Sequence, residues 1–202
     1  MKDKRPEMTP TSEIETQKQS LRAEARAKRR AIPADAQEEA AKAIAHMDLS
    51  FLGSEQGTLA AYYPVRSEFD CLPLAKRLSR EGWRLALPVI VGCAPLEFHE
   101  WGLGAPVVTG PFGIPQPAAG EIVAPTVLLV PLLAYDRRCY RLGYGGGHYD
   151  RTLAALREKG GTVAVGLAFD NQEVDEVPVC PYDERLDWVL TPSGPVAAKE
   201  GH

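Results

Sequence analysis

Little in this sequence ties it to a membrane, a secretory route or a metal cluster. No apolar run in its 202 residues approaches the length of a membrane-spanning helix. Met1 to Gln17 is polar and lacks the apolar core of a secretory signal, so export is not expected. Cysteine is scarce. The four present, Cys71, Cys93, Cys139 and Cys180, form no CxxC pair and no zinc-binding spacing. Unpaired thiols imply a reduced, cytoplasmic setting. Cys139 stands just before a glycine-rich stretch, but the local sequence places no histidine beside it, so it is not assigned as a nucleophile. An excess of positive charge is also missing. The net charge of −4 argues against general nucleic-acid binding, although local basic patches remain open. No internal repeat, low-complexity segment or long linker divides the chain, and its length suits one domain with a sizeable core.

The richest stretch is Arg141-Leu-Gly-Tyr-Gly-Gly-Gly-His-Tyr-Asp150. An apolar run, Val127 to Leu133, precedes it and reads as a buried strand. Arg151 to Lys159 follows and reads as a helix with Leu153 and Leu156 on one face. A glycine-rich turn between strand and helix exposes backbone N–H groups beside a helix N-terminus, which suits phosphate. Arg141 and Arg151 add positive charge at its two ends, and Asp150 supplies a carboxylate able to hold Mg²⁺. Polyphosphate plus metal is therefore one reading. The other is a tight turn whose glycines serve only positive φ. The stretch matches neither the P-loop GxxxxGK[ST] nor GxGxxG.

Met1 to Thr16 is expected to be a disordered lead. Thr16 to Gln19 matches a capping box, which predicts a helix from there to about Ala31. Lys18, Arg22, Arg26 and Arg30 recur along it at i+4 spacing as a basic stripe. Three readings are open: a solvated face, an RNA-binding helix, or cations folded over a nucleotide phosphate. A second helix is predicted from Pro33 to about Met47. Strands are predicted at Thr58–Tyr63, Arg84–Ile90, Leu96–Trp101, Thr162–Phe169 and Trp188–Thr191, with a helix at Leu72–Glu81 closed by Gly82. Gly102 to Pro125 reads as a long irregular connection of the kind that shapes clefts. Ser193 to His202 reads as a loose tail, leaving 17–192 as one domain. Strands alternating with helices, and apolar on both faces, indicate an α/β fold: a three-layer α/β/α sandwich with a mostly parallel sheet.

Taken together, Val130-Pro-Leu-Leu-Ala-Tyr-Asp136, Tyr140-Arg-Leu-Gly-Tyr-Gly-Gly-Gly147 and Tyr149-Asp-Arg151 resemble the signature of the 5-formyltetrahydrofolate cyclo-ligase family, also called 5,10-methenyltetrahydrofolate synthetases. Other blocks follow in the family's order. These are Lys18-Gln-Ser-Leu-Arg22, Tyr63 with Glu68, Phe112-Gly-Ile-Pro-Gln-Pro117, Gly166 to Gln172, and Pro178 with Tyr182, Asp183 and Asp187. The resemblance covers roughly Lys18 to Thr191. It implies a Rossmann-like sandwich and a ligase that uses ATP and Mg²⁺ to convert 5-formyltetrahydrofolate to 5,10-methenyltetrahydrofolate, releasing ADP and phosphate. Carried over by residue, it implies ATP contacts from Lys18, Arg22, Arg141, Leu142, Gly143, Tyr144, Gly145, Gly146, Gly147, His148 and Tyr149. Folate contacts fall on Tyr63, Glu68 and His148, and Mg²⁺ on Asp150 with Asp183. Arg141, His148 and Asp150 would stand at the reacting centre. A monomer with two small-molecule substrates, and with no nucleic-acid or membrane partner, is expected. Where the family commonly has Gly-Tyr-Tyr-Asp this chain has Gly147-His-Tyr-Asp150, so a titratable ring replaces a phenol. A non-catalytic folate- or nucleotide-binding paralogue is the alternative, supported only by that departure.

Overall fold

The structure is a computed structural model, and it describes residues 10–52 and 56–198. Its centre is a seven-stranded sheet. In chain order the elements are α1 (Pro10–Arg30), α2 (Ala34–Ala45), β1 (Thr58–Ala60), α3 (Leu72–Arg80), β2 (Arg84–Val89), β3 (Glu97–Glu100), β4 (Val107–Thr109), β5 (Pro115–Pro117), β6 (Val127–Pro131), β7 (Ala134–Tyr135), β8 (Arg141–Leu142), α4 (His148–Lys159), β9 (Val163–Leu167), β10 (Trp188–Thr191) and β11 (Gly194–Ala197). The sheet runs β11-β10-β9-β6-β1-β2-β3. Its five inner strands are parallel, and β3 and β11 close the edges antiparallel.

Both faces of the inner strands are covered, as their apolar sequences require. Alternation in β6 shows how. Val127 and Leu129 face one layer, where Ala41 and Ile44 of α2 and Leu74 and Leu78 of α3 pack. Leu128 and Val130 face the other, with Leu153 of α4. Each of these fully buried leucines contributes roughly 1.5–3 kcal/mol. The expected α/β/α sandwich with a mostly parallel sheet is what forms.

From β1 the chain goes to β2 on one side and later crosses back to β6 on the other. The gap beyond the carboxyl ends of β1 and β6 is therefore the point where strand order reverses, the usual place for a ligand in such sheets. α1 lies over this end. Its Ala25 packs with Leu133, Ala134, Leu142 and Val177, and its Arg29 reaches the carbonyl of Leu132 just past β6.

Some expectations are corrected. α1 starts at Pro10, not Thr16. The Thr16 hydroxyl donates to the Ser12 carbonyl at 2.9 Å, the back-bond of a residue inside a helix rather than a cap. Of the expected lead, residues 1–9 lie outside the described residues. The end of the chain is not all loose. β11 pairs with β10 through Val189↔Val196, and Pro195 is tolerated because β11 is an edge strand. Residues 199–202 lie outside the described residues. The irregular connection contains a small hairpin of β4 and β5, turned by Pro111–Gly113. β1 ends at Ala60, earlier than expected, and the chain leaves the sheet there. Among the described residues, no helix is long and apolar enough to cross a membrane.

Candidate active site

A short hairpin of β7 and β8 stands between β6 and the glycine segment, so Arg141 and Leu142 enter it as strand residues. The chain then turns through Gly143–Gly147 into α4. Gly145 has φ +101°, and Gly147, the helix cap, has φ +63°, so a side chain at either would be strained. Gly147 leads directly into α4, whose first turn carries Asp150. Leu142 itself is a core residue. Its side chain is 1% exposed, and its carbonyl accepts the Leu133 N–H at 2.8 Å.

Charged groups converge on this loop from two sides. From α1, the Arg22 guanidinium donates to the Gly143 carbonyl at 3.1 Å. Lys18, 6% exposed, is ion-paired with Asp183, which also accepts the Cys180 N–H at 2.6 Å. Burial alone would lower the Lys18 ammonium, but its hydrogen bond and ion pair with Asp183 outweigh burial and hold it above its ordinary value. Behind the loop, buried Arg141 pairs with Asp150 at 2.8 Å, and the same Oδ1 accepts the Glu184 N–H at 3.1 Å. Asp150 thus stands just past the loop and Asp183 is held by Lys18 of α1, each carboxylate against a cation. Among the described residues there is no cluster of three or more metal-ligating side chains. Mg²⁺ is usually held by one or two carboxylates with phosphate oxygens and water, and this donor set fits that pattern.

The other half of the site lies at the end of β1. Glu68 is buried, and its Oε2 accepts the Val65 N–H at 3.0 Å. Burial pushes its carboxyl above the ordinary value, against the pull of Val65 N–H, the Tyr144 hydroxyl, Arg29 and Arg66. Tyr63 is half-buried against the core formed by α2, α3 and the sheet. Tyr149 packs partly into the opposite core layer.

His148 opens α4. Arg151, whose NH2 group lies 3.3 Å from His148 Nδ1, also donates to the Gly146 carbonyl at 3.0 Å. A guanidinium only donates, so Nδ1 accepts and the neutral ring carries its hydrogen on Nε2. Burial first, and then the Arg151 charge, lowers the ring below its ordinary value. A neutral N–H donor therefore stands beside the loop. The Phe112 ring lies 6.4 Å away, 81% exposed and at φ +58°, a strained position for an aromatic residue. Such a ring can lie against a planar substrate. Cys139, in contrast, is buried, and burial pushes its thiol up to about 11, which suits no nucleophile.

A sequence model of the 5-formyltetrahydrofolate cyclo-ligase family matches residues 14–192, which include all of these groups. The chain belongs to that family. Among curated relatives, the 5-formyltetrahydrofolate cyclo-ligase of Mycolicibacterium smegmatis is 36% identical over 191 residues, covering 90% of this chain and 96% of that protein. The Escherichia coli protein of the same name is 36% identical over 143 residues, covering 67% of this chain and 78% of its own length. A solved 5,10-methenyltetrahydrofolate synthetase from Aquifex aeolicus superposes with a TM-score of 0.73 at 27% identity, covering 92% of this chain and 94% of that one. A second, from Mycoplasma pneumoniae, gives 0.69 at 22% identity, covering 87% and 98%, and speaks to the fold alone.

The basic stripe of the cyclo-ligase chain divides by burial and partner rather than running as one face. Lys18 and Arg22 turn inward, Arg26 lies over the Tyr144 ring at 5.8 Å, and Arg30 is exposed. The buried cation that the i+4 count misses is Arg29, 3% exposed. The helical period is 3.6, so a strict i+4 row drifts around the axis, whereas 18, 22, 25 and 29 stay on one side.

Proposed function

We propose that the chain carries out the cyclo-ligase reaction with ATP bound along the glycine loop and folate bound over the carboxyl ends of β1 and β6. What supports this is the meeting of two unlike half-sites at one switch point. One is a basic, glycine-rich cradle made by Lys18, Arg22 and Gly143–Gly147; the other is a buried carboxylate, Glu68, in the segment after β1. A carboxylate in that place suits a pterin, whose 2-amino and N3 groups present paired N–H donors.

The chemistry explains why both are needed. An amide oxygen leaves poorly. In the proposed sequence the formyl oxygen of 5-formyltetrahydrofolate attacks the γ-phosphorus of ATP, and ADP departs. N10 then attacks the activated formyl carbon and gives up its proton, and phosphate leaves as the ring closes to the methenyl product. The protein's work is positioning and charge stabilisation. Arg22 and Lys18 hold phosphate oxygens, and loop N–H groups add to them. His148 presents Nε2–H toward the transferring group, and Phe112 shields the planar substrate. Arg141 fixes Asp150 and Asp183 is held by Lys18, so both carboxylates are in place for Mg²⁺. That ion, when bound, would neutralise charge on the phosphates. The four free thiols are consistent with work in the cytoplasm.

The test is direct. The methenyl product absorbs in the near ultraviolet and the substrate does not. Purified chain with 5-formyltetrahydrofolate should develop that absorbance only when ATP and Mg²⁺ are both present. Absorbance that develops equally without ATP would contradict the proposal.

A further inference from the structure

Arg29 is 3% exposed, and among the described residues its guanidinium hydrogen-bonds three neutral acceptors and no carboxylate. Nε donates to the Ser67 hydroxyl at 3.3 Å, NH1 to the Leu132 carbonyl at 3.0 Å, and NH2 to the Tyr144 hydroxyl at 2.6 Å. Each acceptor belongs to a different segment. Leu132 follows β6, Tyr144 lies in the glycine loop, and Ser67 lies between β1 and α3. One side chain of α1 thus reaches the loop, the segment that carries Glu68, and the end of β6.

The Ser67 contact falls inside a tight turn. The Val65 carbonyl accepts the Glu68 N–H at 3.1 Å, and Glu68 Oε2 accepts the Val65 N–H at 3.0 Å, so this turn sets where the carboxylate lies. Arg66, within it, has φ +58°, a conformation that side-chain-bearing residues rarely adopt. Such a conformation persists only where its surroundings hold it, and the bond from Arg29 to Ser67 is one of those holds. On the loop side, Arg22 and Arg29 grip successive residues, Gly143 and Tyr144. The donors of a guanidinium lie in one rigid plane, so three acceptors bound to it cannot shift independently.

We infer that Arg29 is a positioning residue that sets the spacing between the glycine loop and the Glu68 turn. This rests on the reading of the loop as the ATP site and of Glu68 as the folate carboxylate. In that reading the formyl oxygen must come within about 3–3.5 Å of the γ-phosphorus, in line, while different segments hold the two substrates. Neither segment fixes that approach alone. Loss of the Arg29 fork leaves each substrate its own contacts and spoils their meeting. A misplacement of about 1 Å costs about a hundredfold in rate.

Arg29→Lys keeps the charge and loses the fork. The experiment measures the single-turnover rate of methenyl formation at saturating MgATP and 5-formyltetrahydrofolate, KM for each substrate, and the melting temperature. The rate per folded molecule should fall about a hundredfold, with both KM values close to wild type. A purely structural role would lower the melting temperature and leave the rate per folded molecule unchanged. Tyr144→Phe removes one acceptor and should lower the same rate about tenfold, the worth of one bond to a charged group; Ser67→Ala, at the longer contact, should lower it less. A folded Arg29→Lys variant at the wild-type rate would overturn the assignment, as would one whose loss lies wholly in a single KM. If Arg29→Lys does not fold, wild-type rates in both Tyr144→Phe and Ser67→Ala would overturn it. A wild type that forms no methenyl product would overturn the cyclo-ligase reading and this assignment with it.

Discussion

Replacing Arg22 with alanine should damage ATP use in a way that can be scaled from its contacts. Its side chain is 13% exposed, and its guanidinium is divided between two acceptors. The ion pair with Glu15, at 2.7 Å, is to a side chain that is 48% exposed. A pair of that kind contributes about 0–1 kcal/mol. The bond to the Gly143 carbonyl, at 3.1 Å, is the larger loss, because it joins α1 to the loop that cradles phosphate. A hydrogen bond from a charged group is worth about 1.5–3 kcal/mol. At about 1.4 kcal/mol per factor of ten, its loss raises KM for ATP about 10- to 150-fold. Folate KM should stay near the wild-type value, since among the described residues the hydrogen bonds of Arg22 go to Gly143 and Glu15 and not to the Glu68 side. Arg30→Ala is the control, because that side chain is exposed on the same helix. Steady-state assays varying ATP and folate separately give all four numbers. Equal rises in ATP KM for Arg22→Ala and Arg30→Ala would refute the reasoning and show the helix acting as a general electrostatic patch.

Asp150→Asn keeps an oxygen for Arg141 and Glu184 N–H but removes the charge, so kcat should fall by a hundredfold or so, as loss of a metal-holding charge does, with folate binding retained; unchanged turnover and Mg²⁺ dependence would sink the metal role. Glu68→Gln should weaken folate binding yet raise the melting temperature at neutral pH. The folded chain holds the Glu68 proton more tightly than the unfolded chain, so its ionised form costs stability that grows as pH rises above the ordinary carboxyl value of 4.5. The gain should shrink as pH falls toward that value, and a variant that melts lower at neutral pH would contradict this. His148→Tyr restores the family's phenol at a half-buried helix start and should keep methenyl formation; near-complete loss of turnover in a folded variant would show that the imidazole N–H is required.

How legible this was depends on whether the signal was local. Val127–Leu133 and Thr162–Phe169 announce buried parallel strands because an apolar run on both faces has few other uses. The glycine stretch announces itself by composition, and Gly145 and Gly147 do take the positive φ it implies. Arg29 stayed hidden among Lys28, Arg29 and Arg30, since a charge run usually reads as solvated and only the angular position decides which member is buried. Tyr144 was assigned to ATP because of its place in the loop. The hydrogen bond it accepts from Arg29, at 2.6 Å, is a long-range contact that local pattern does not carry. The start of α1 was misplaced because Thr16 and Gln19 mimic a cap. β11 was missed because Gly194-Pro-Val-Ala197 has one branched apolar residue and owes its strand to pairing with β10.

The most direct test of the central claim is the near-ultraviolet absorbance of purified chain mixed with 5-formyltetrahydrofolate and MgATP, alongside the Arg22→Ala variant. The account predicts an ATP-dependent rise to the methenyl product in the wild type, with one ADP formed per product, and a rise in the variant that recovers only at much higher ATP. No product from folded wild-type chain, or product formed without ADP, would contradict it.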